Sequence, residues 1–241
     1  MTVLMPEIAG DTHLQSRVLE DLSDAVNYQR WLADLARPYL GENPIELGSG
    51  IGDYAAAWLS TVSRITVTEA DQSRLKGLVE RFADDSRVDV RTLFLPTEER
   101  AEHSAAVALN VLEHVEDDVA GLRSIGGLLR PGGAVVLIVP AFPSAMSRFD
   151  RTIGHYRRYT VASLGAALTG AGLRVEQLRY INPVGLLGWY VACRTLGLAP
   201  HNGPLVRLYD RTVVPLARRL ERHGRAPFGQ SVFAVARTPG E

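Results

Sequence analysis

Three glycines at alternate positions, Gly48, Gly50 and Gly52, follow the short apolar run Ile45-Glu46-Leu47. Glycines after a strand let the backbone come close to a ligand, and the N-terminus of a following helix offers free N–H groups. The spacing is G-x-G-x-G and not the G-x-G-x-x-G of dinucleotide sites, so a close approach to pyrophosphate is less well provided for. Glu69 ends the next strand-like run, where a carboxylate can accept both hydroxyls of a ribose. The same residue could instead cap a helix starting near Gln72. Further along, Asp150, His155, Tyr156, Arg157 and Arg158 crowd one segment without helical or strand periodicity. Imidazole titrates near neutral pH, which makes His155 the first candidate for a general base and His114 the second; the alternative for each is a hydrogen bond that fixes a loop. Arg157 and Arg158 could pair with a carboxylate or phosphate of a substrate, or tie their loop to Asp150. The histidines are dispersed along the chain, Cys193 is the only cysteine, and no acid cluster stands at a strand end, so no metal site is expected.

For these residues to meet, strands must end along one edge of a sheet. Strands are expected at 45–47, 64–69, 88–91, 105–109, 134–139, 173–181 and 231–236, from apolar alternation or short apolar runs. Between them, helices are expected at 53–60, 72–83, 115–129 and 160–171, the last with Thr160 as N-cap. Residues 14–36 predict one amphipathic helix ahead of the sheet. Alternating strands and helices imply a doubly wound sheet covered on both faces. Ligands in such sheets sit at the carboxyl ends of strands, so the segment 140–159 should border a substrate.

The run Glu46-Leu47-Gly48-Ser49-Gly50-Ile51-Gly52 resembles the first motif of class I S-adenosylmethionine-dependent methyltransferases, with Glu69 at their ribose position. Asn110-Val111-Leu112-Glu113-His114-Val115 is similar to the segment after their fourth strand, and Leu128-Leu129-Arg130-Pro131-Gly132-Gly133 to their turn into the fifth. The resemblance spans residues 45–139 in that family's order. Gly154-His155-Tyr156-Arg157-Arg158-Tyr159-Thr160 resembles a signature in one branch of bacterial small-molecule methyltransferases. It implies an α/β, Rossmann-like, mostly parallel sheet and the cofactor S-adenosyl-L-methionine. In that picture Glu46, Gly48, Ser49, Gly50 and Gly52 hold the methionine part, Glu69 and Ala70 the ribose, and Asn110 and Val111 face the methyl group. Tyr156, Arg157 and Arg158 would meet the acceptor, a small organic molecule with an oxygen nucleophile, without a metal. Two positions depart from the family: Thr92 and Ser104 stand where acids are common. Asn27-Tyr28 and Trp31 resemble a helix that covers the cofactor, with the Tyr28 hydroxyl in reach of a cofactor carboxylate and Trp31 read as core. The rival readings are an NAD(P)-dependent oxidoreductase and a non-catalytic cofactor-binding accessory subunit.

The chain has 241 residues, 46% hydrophobic and 22% charged, with a net charge of −1. That fits a single domain over 1–241, with residues 1–40 as a helical cover. Near-neutral charge argues against general nucleic-acid binding. With no basic segment leading into an apolar run at the start and no stretch of about 20 apolar residues, a cytoplasmic protein is expected. Residues 183–227 are too long for a hairpin between the last two strands and read as a helical cap. Leu186, Leu187, Trp189 and Tyr190 would suit a hydrophobic acceptor or a small extra core. Its second half, with Leu205, Leu208, Leu216 and Leu220 on one side and Arg207, Arg211, Arg218, Arg219 and Arg222 interspersed, suits peripheral contact with anionic lipid or a homodimer.

Overall fold

A computed structural model describes residues 8–190, 203–221 and 226–240 of the chain. Residues 1–7 of the expected cover, residues 191–202 of the expected cap and Arg222 lie outside it, as do the side chains of Trp189, Leu205 and Leu220. Seven strands form one sheet: β1 Ile45–Leu47, β2 Ile65–Thr68, β3 Val88–Arg91, β4 His103–Leu109, β5 Leu129–Pro140, β6 Arg174–Ile181 and β7 Ser231–Arg237, in the order β3-β2-β1-β4-β5-β7-β6. All pairs are parallel except those of β7, which runs antiparallel to both β5 and β6. The helices are α1 Thr12–Ser23, α2 Val26–Ala36, α3 Asp53–Trp58, α4 Gln72–Arg81, α5 Asp118–Gly127, α6 Arg148–Thr152, α7 Val161–Gly170, α8 Pro183–Trp189 and α9 Gly203–Glu221.

With side chains alternating between two covered faces, residues 134–139 of β5 and 232–236 of β7 are apolar throughout. Val135, Leu137 and Val139 of β5, with Val232 and Ala234 of β7, pack on one face with Leu122, Ile125, Leu164 and Leu168 of α5 and α7. Val136 and Ile138, with Phe233 and Val235, pack on the other with Leu32, Trp58 and Leu78 of α2, α3 and α4.

Four expectations need correction. The single helix over 14–36 is two helices, because Ala25 leaves helical geometry (φ −87°, ψ 59°). The Asp210 carboxylate of α9 accepts from the backbone N–H of Tyr28 at 2.8 Å and of Asn27 at 3.1 Å, so the second helix starts where a distant acid caps it. The helix expected over 115–129 begins only at Asp118, capped by Asp117, and the preceding Leu112–His114 forms a 3-10 turn. Pro131, Gly132 and Gly133, expected as a turn, lie within β5. In the segment expected to lack structure, Ser147 and Asp150 form a capping box that starts the short α6.

Candidate active site

The strand order reverses direction between β1 and β4, and a crevice opens beyond their carboxyl ends. A cleft of about 1330 Å³ lies there, more than the roughly 300–1,000 Å³ of a single ligand pocket and enough for a nucleoside and a second small molecule. Its walls include Glu46 of β1 with Gly48 and Ser49 after it, Glu69 and Ala70 after β2, and Asn110 and Val111 after β4. Tyr28, His114, His155, Tyr156 and Arg158 line it too.

The glycine loop is a run of left-handed backbone, with φ of 60°, 58° and 83° at Gly48, Gly50 and Gly52. At Gly50 a Cβ would also stand 3.0 Å from Leu19 Cδ1 on α1, so a side chain there is both strained and crowded. Gly50 and Gly52 shape the loop without lining the cleft. Glu69 is buried and ties the loop down: Oε2 accepts from Gly50 N at 2.9 Å, and Oε1 from Ala70 N at 2.9 Å, Asp71 N at 3.0 Å and Arg74 Nη2 at 3.2 Å. Capping of α4 falls to Asp71, whose carboxylate accepts from Arg74 N, and not to Glu69. Glu46 is also buried, and its Oε2 has no hydrogen-bond partner among the described residues. Burial pushes its carboxyl up to about 8, against the pull of Ser49.

At the other end of the cleft, His155 Nδ1 lies 3.0 Å from Asp150 Oδ1, and its Nε2 points to Glu113 Oε1 at 3.9 Å. Arg158 grips the same Asp150 oxygen at 2.7 Å through Nη2 and gives Nη1 to the Ala141 carbonyl at 3.2 Å. Burial opposes ionisation of Asp150, yet its bonds to His155 and Arg158 hold its carboxyl below the usual range. Glu113 is fully buried; neither carboxylate oxygen has a hydrogen-bond partner of good geometry among the described residues, its own backbone N–H giving only a local attraction. Burial raises its carboxyl to about 7, against the attraction of His155. His114 meets the His155 ring edge-on at 4.6 Å, and burial together with His155 lowers its imidazole to about 3. Donor atoms of Glu113, His114 and His155 lie within 4.8 Å of one another. Histidines dispersed in sequence are therefore gathered in space, which removes the ground on which a metal was set aside.

Other expected residues are placed differently. Arg157 does not line the cleft; it pairs with Asp118 at 2.9 Å and bonds the Glu116 carbonyl. Trp31 is buried against Val214 and Ala217 of α9, as core. Asn27 bonds Asp210 through its side chain. Burial raises the Tyr28 hydroxyl above its ordinary value, and Ser231 bonds it. Ser104 bonds the Leu40 carbonyl and Asn43 N, a structural duty. From the cap, Gly185, Gly188, Val206 and Tyr209 reach the cleft, while Leu187 and Tyr190 are exposed. Arg207 and Arg218, expected to face an anionic surface, pair with Asp24 and Asp34 at 2.7 and 2.6 Å. No described helix is long and apolar enough to cross a membrane. Sequence reasoning missed Glu113, Arg74 and the wall formed by Leu93, Phe94 and Leu95, although Glu113 stood beside His114 as an acid directly after an apolar strand.

Residues 45–135 match a family model described as a methyltransferase domain. An uncharacterized methyltransferase of Mycobacterium tuberculosis is 29% identical over 117 residues, covering 47% of this chain; the chain thus spans 58% of that relative's length. Among solved structures, a complex between the Haloferax volcanii Trm112 methyltransferase activator and a methyltransferase gives a TM-score of 0.66 at 17% identity, covering 98% of this chain and 99% of that one. Geranyl diphosphate methyltransferase in complex with S-adenosylmethionine gives 0.62 at 13% identity, covering 87% and 84%. Those two likenesses speak to the fold, and the family model speaks to the segment that carries the glycine loop, Glu69 and Glu113. Residues 45–135 are therefore similar to a methyltransferase domain, and the sheet that carries them has the Rossmann-like fold of the solved methyltransferases.

Proposed function

We propose that the protein transfers a methyl group from S-adenosyl-L-methionine to an oxygen of a small organic acceptor. The observation that carries this reading is a single cleft lined both by the glycine loop with Glu69 and by Glu113, His114 and His155. The residues fit the cofactor. Glu46 Oε2, buried and unpartnered among the described residues, suits its ammonium group. Glu69 Oε2 accepts only the Gly50 N–H among them and has capacity for ribose hydroxyls. Tyr28 closes the same wall from α2.

When bound, the cofactor supplies an electrophilic methyl carbon on a sulfonium. In-line displacement then depends on alignment, so holding the acceptor is the protein's main contribution. Asp150 and Arg158 fix the His155 ring, which leaves Nε2 as the nitrogen placed to take a hydroxyl proton. Tyr156 is 46% exposed at the mouth of the cleft, where an acceptor would enter.

Calorimetric titration with S-adenosyl-L-methionine and with NAD tests the reading. Saturable heat with the first and none with the second is expected, followed by transfer of labelled methyl to hydroxylated acceptors. Binding of NAD alone would overturn it.

A further inference from the structure

We infer that Glu113, His114 and His155 form a binding site for a divalent first-row transition-metal ion at the acceptor end of the cleft. Two imidazoles and one carboxylate are the donor set of three-ligand zinc sites that keep a position open for a water or substrate oxygen. Nitrogen donors favour such ions over magnesium or calcium, which take oxygen ligands. The donor atoms lie within 4.8 Å of one another, and His155 Nε2 is 3.9 Å from Glu113 Oε1. Tetrahedral coordination at about 2.0–2.1 Å places ligands roughly 3.3 Å apart, so small side-chain rotations would close the set.

Two further observations point to a missing ligand. Glu113 is fully buried, with neither carboxylate oxygen hydrogen-bonded among the described residues and His155 Nε2 no nearer than 3.9 Å, a costly arrangement without a cation. The surroundings are those of a supported ligand shell: His155 Nδ1 is held by the Asp150 carboxylate, itself gripped by Arg158, and His114 hydrogen-bonds the backbone of Gly154. The ion's open position faces the cleft and suits an oxygen donor. That role toward an acceptor rests on the methyl transfer proposed for the cleft; with an ion bound, His155 Nε2 is a ligand and no longer the base, and the ion itself would ease loss of the acceptor hydroxyl's proton. Ion binding itself rests on the three side chains.

The test is titration of the chelator-treated full chain with Co²⁺, read by visible absorption and by equilibrium dialysis. One ion per chain with absorption bands of low-symmetry coordination is expected. His114→Ala and His155→Ala should each weaken binding about 100-fold, and Glu113→Gln at least 10-fold, in protein with unchanged circular dichroism. Absence of stoichiometric binding to the wild type overturns the inference, whatever the variants do. Stoichiometric binding that survives in all three variants also overturns it, because the ion is then elsewhere. S-adenosyl-L-methionine titrated into the same samples keeps the two ideas apart: cofactor binding without Co²⁺ binding sinks the ion site alone, and the reverse leaves the ion site standing without its catalytic setting.

Discussion

Glu46 links the cleft to the proposed cofactor through a proton. Burial raises its carboxyl from 4.5 to about 8, so at pH 7 roughly ten neutral molecules stand for each ionised one. The folded chain then holds a proton that the unfolded chain has released, and stability must fall as pH rises from about 4.5 to about 8. A shift of that size corresponds to roughly 5 kcal/mol at most across the window, at about 1.4 kcal/mol per pH unit. Glu46→Gln keeps the shape and removes the titration. Urea unfolding of both proteins between pH 5 and 9 should show the wild type losing stability relative to the variant, with the gap opening up to pH 8 and constant above. Cofactor adds a second readout. An ammonium beside Glu46 favours the carboxylate, so binding at pH 7 should expel up to about 0.9 proton, seen as binding enthalpies that differ between phosphate and Tris buffers. Parallel pH slopes in wild type and Glu46→Gln, with equal enthalpies in the two buffers, would refute the argument.

Three other outcomes follow from the geometry. Glu69→Ala should weaken S-adenosyl-L-methionine binding by about 2–4 kcal/mol in calorimetry, since hydrogen bonds to a charged group are worth roughly 1.5–3 kcal/mol each; unchanged affinity in the folded variant would remove Glu69 from the ribose. Gly50→Val should keep its circular dichroism and lose cofactor binding, because φ of 58° and Leu19 Cδ1 at 3.0 Å leave no place for a side chain without moving the loop; retained binding would make the loop a mere turn. Asp210→Ala should lower stability by about 1–3 kcal/mol in thermal or urea melts, as the start of α2 loses its acceptor. An unaltered melt would mean that water caps α2 equally well.

What the sequence made legible is what is local or periodic. The strands β2, β3, β6 and β7 fall within about a residue of their expected bounds, because two-residue alternation or short apolar runs mark them directly. Thr160 caps α7 as expected, with Ser163 completing the box. The glycine loop and Glu69 were readable because chemistry and spacing coincide on adjacent strand ends. The polar end of the cleft was not. Asp150 sits on α6 while His155 and Arg158 follow it outside any helix, and the three meet only because the chain folds back after α6. Glu113 joins them from the end of β4, with the Tyr156 N–H on its carbonyl at 2.8 Å fixing the approach. No window on the sequence shows a contact of that range, nor the carboxylate that caps α2 from 182 residues away.

The same long-range bonds determine which part of the cover can yield. α2 buries Trp31, Leu32, Ala33 and Ala36 and is clamped at its start by Asp210 of α9, so it is held by both the core and α9. α1 buries only Val18, although Val18, Leu19 and Leu22 line the cleft. Its remaining ties are polar: Gln15 Nε2 to the Ile153 carbonyl at 2.7 Å, Asp11 N to the Thr152 carbonyl at 2.8 Å, and Ser16 to Arg74 at 3.2 Å. The two bonds to backbone carbonyls are neutral and worth about 1 kcal/mol each, while the Ser16–Arg74 bond involves a charged group and is worth about 1.5–3 kcal/mol. All three can be exchanged for water, whereas the buried face of α2 cannot. Ala25, where the expected single helix breaks, separates the two. α1 thus meets the cleft through Val18, Leu19 and Leu22 with a single buried residue behind them, whereas α2 holds Tyr28 at the cleft wall from a packed face.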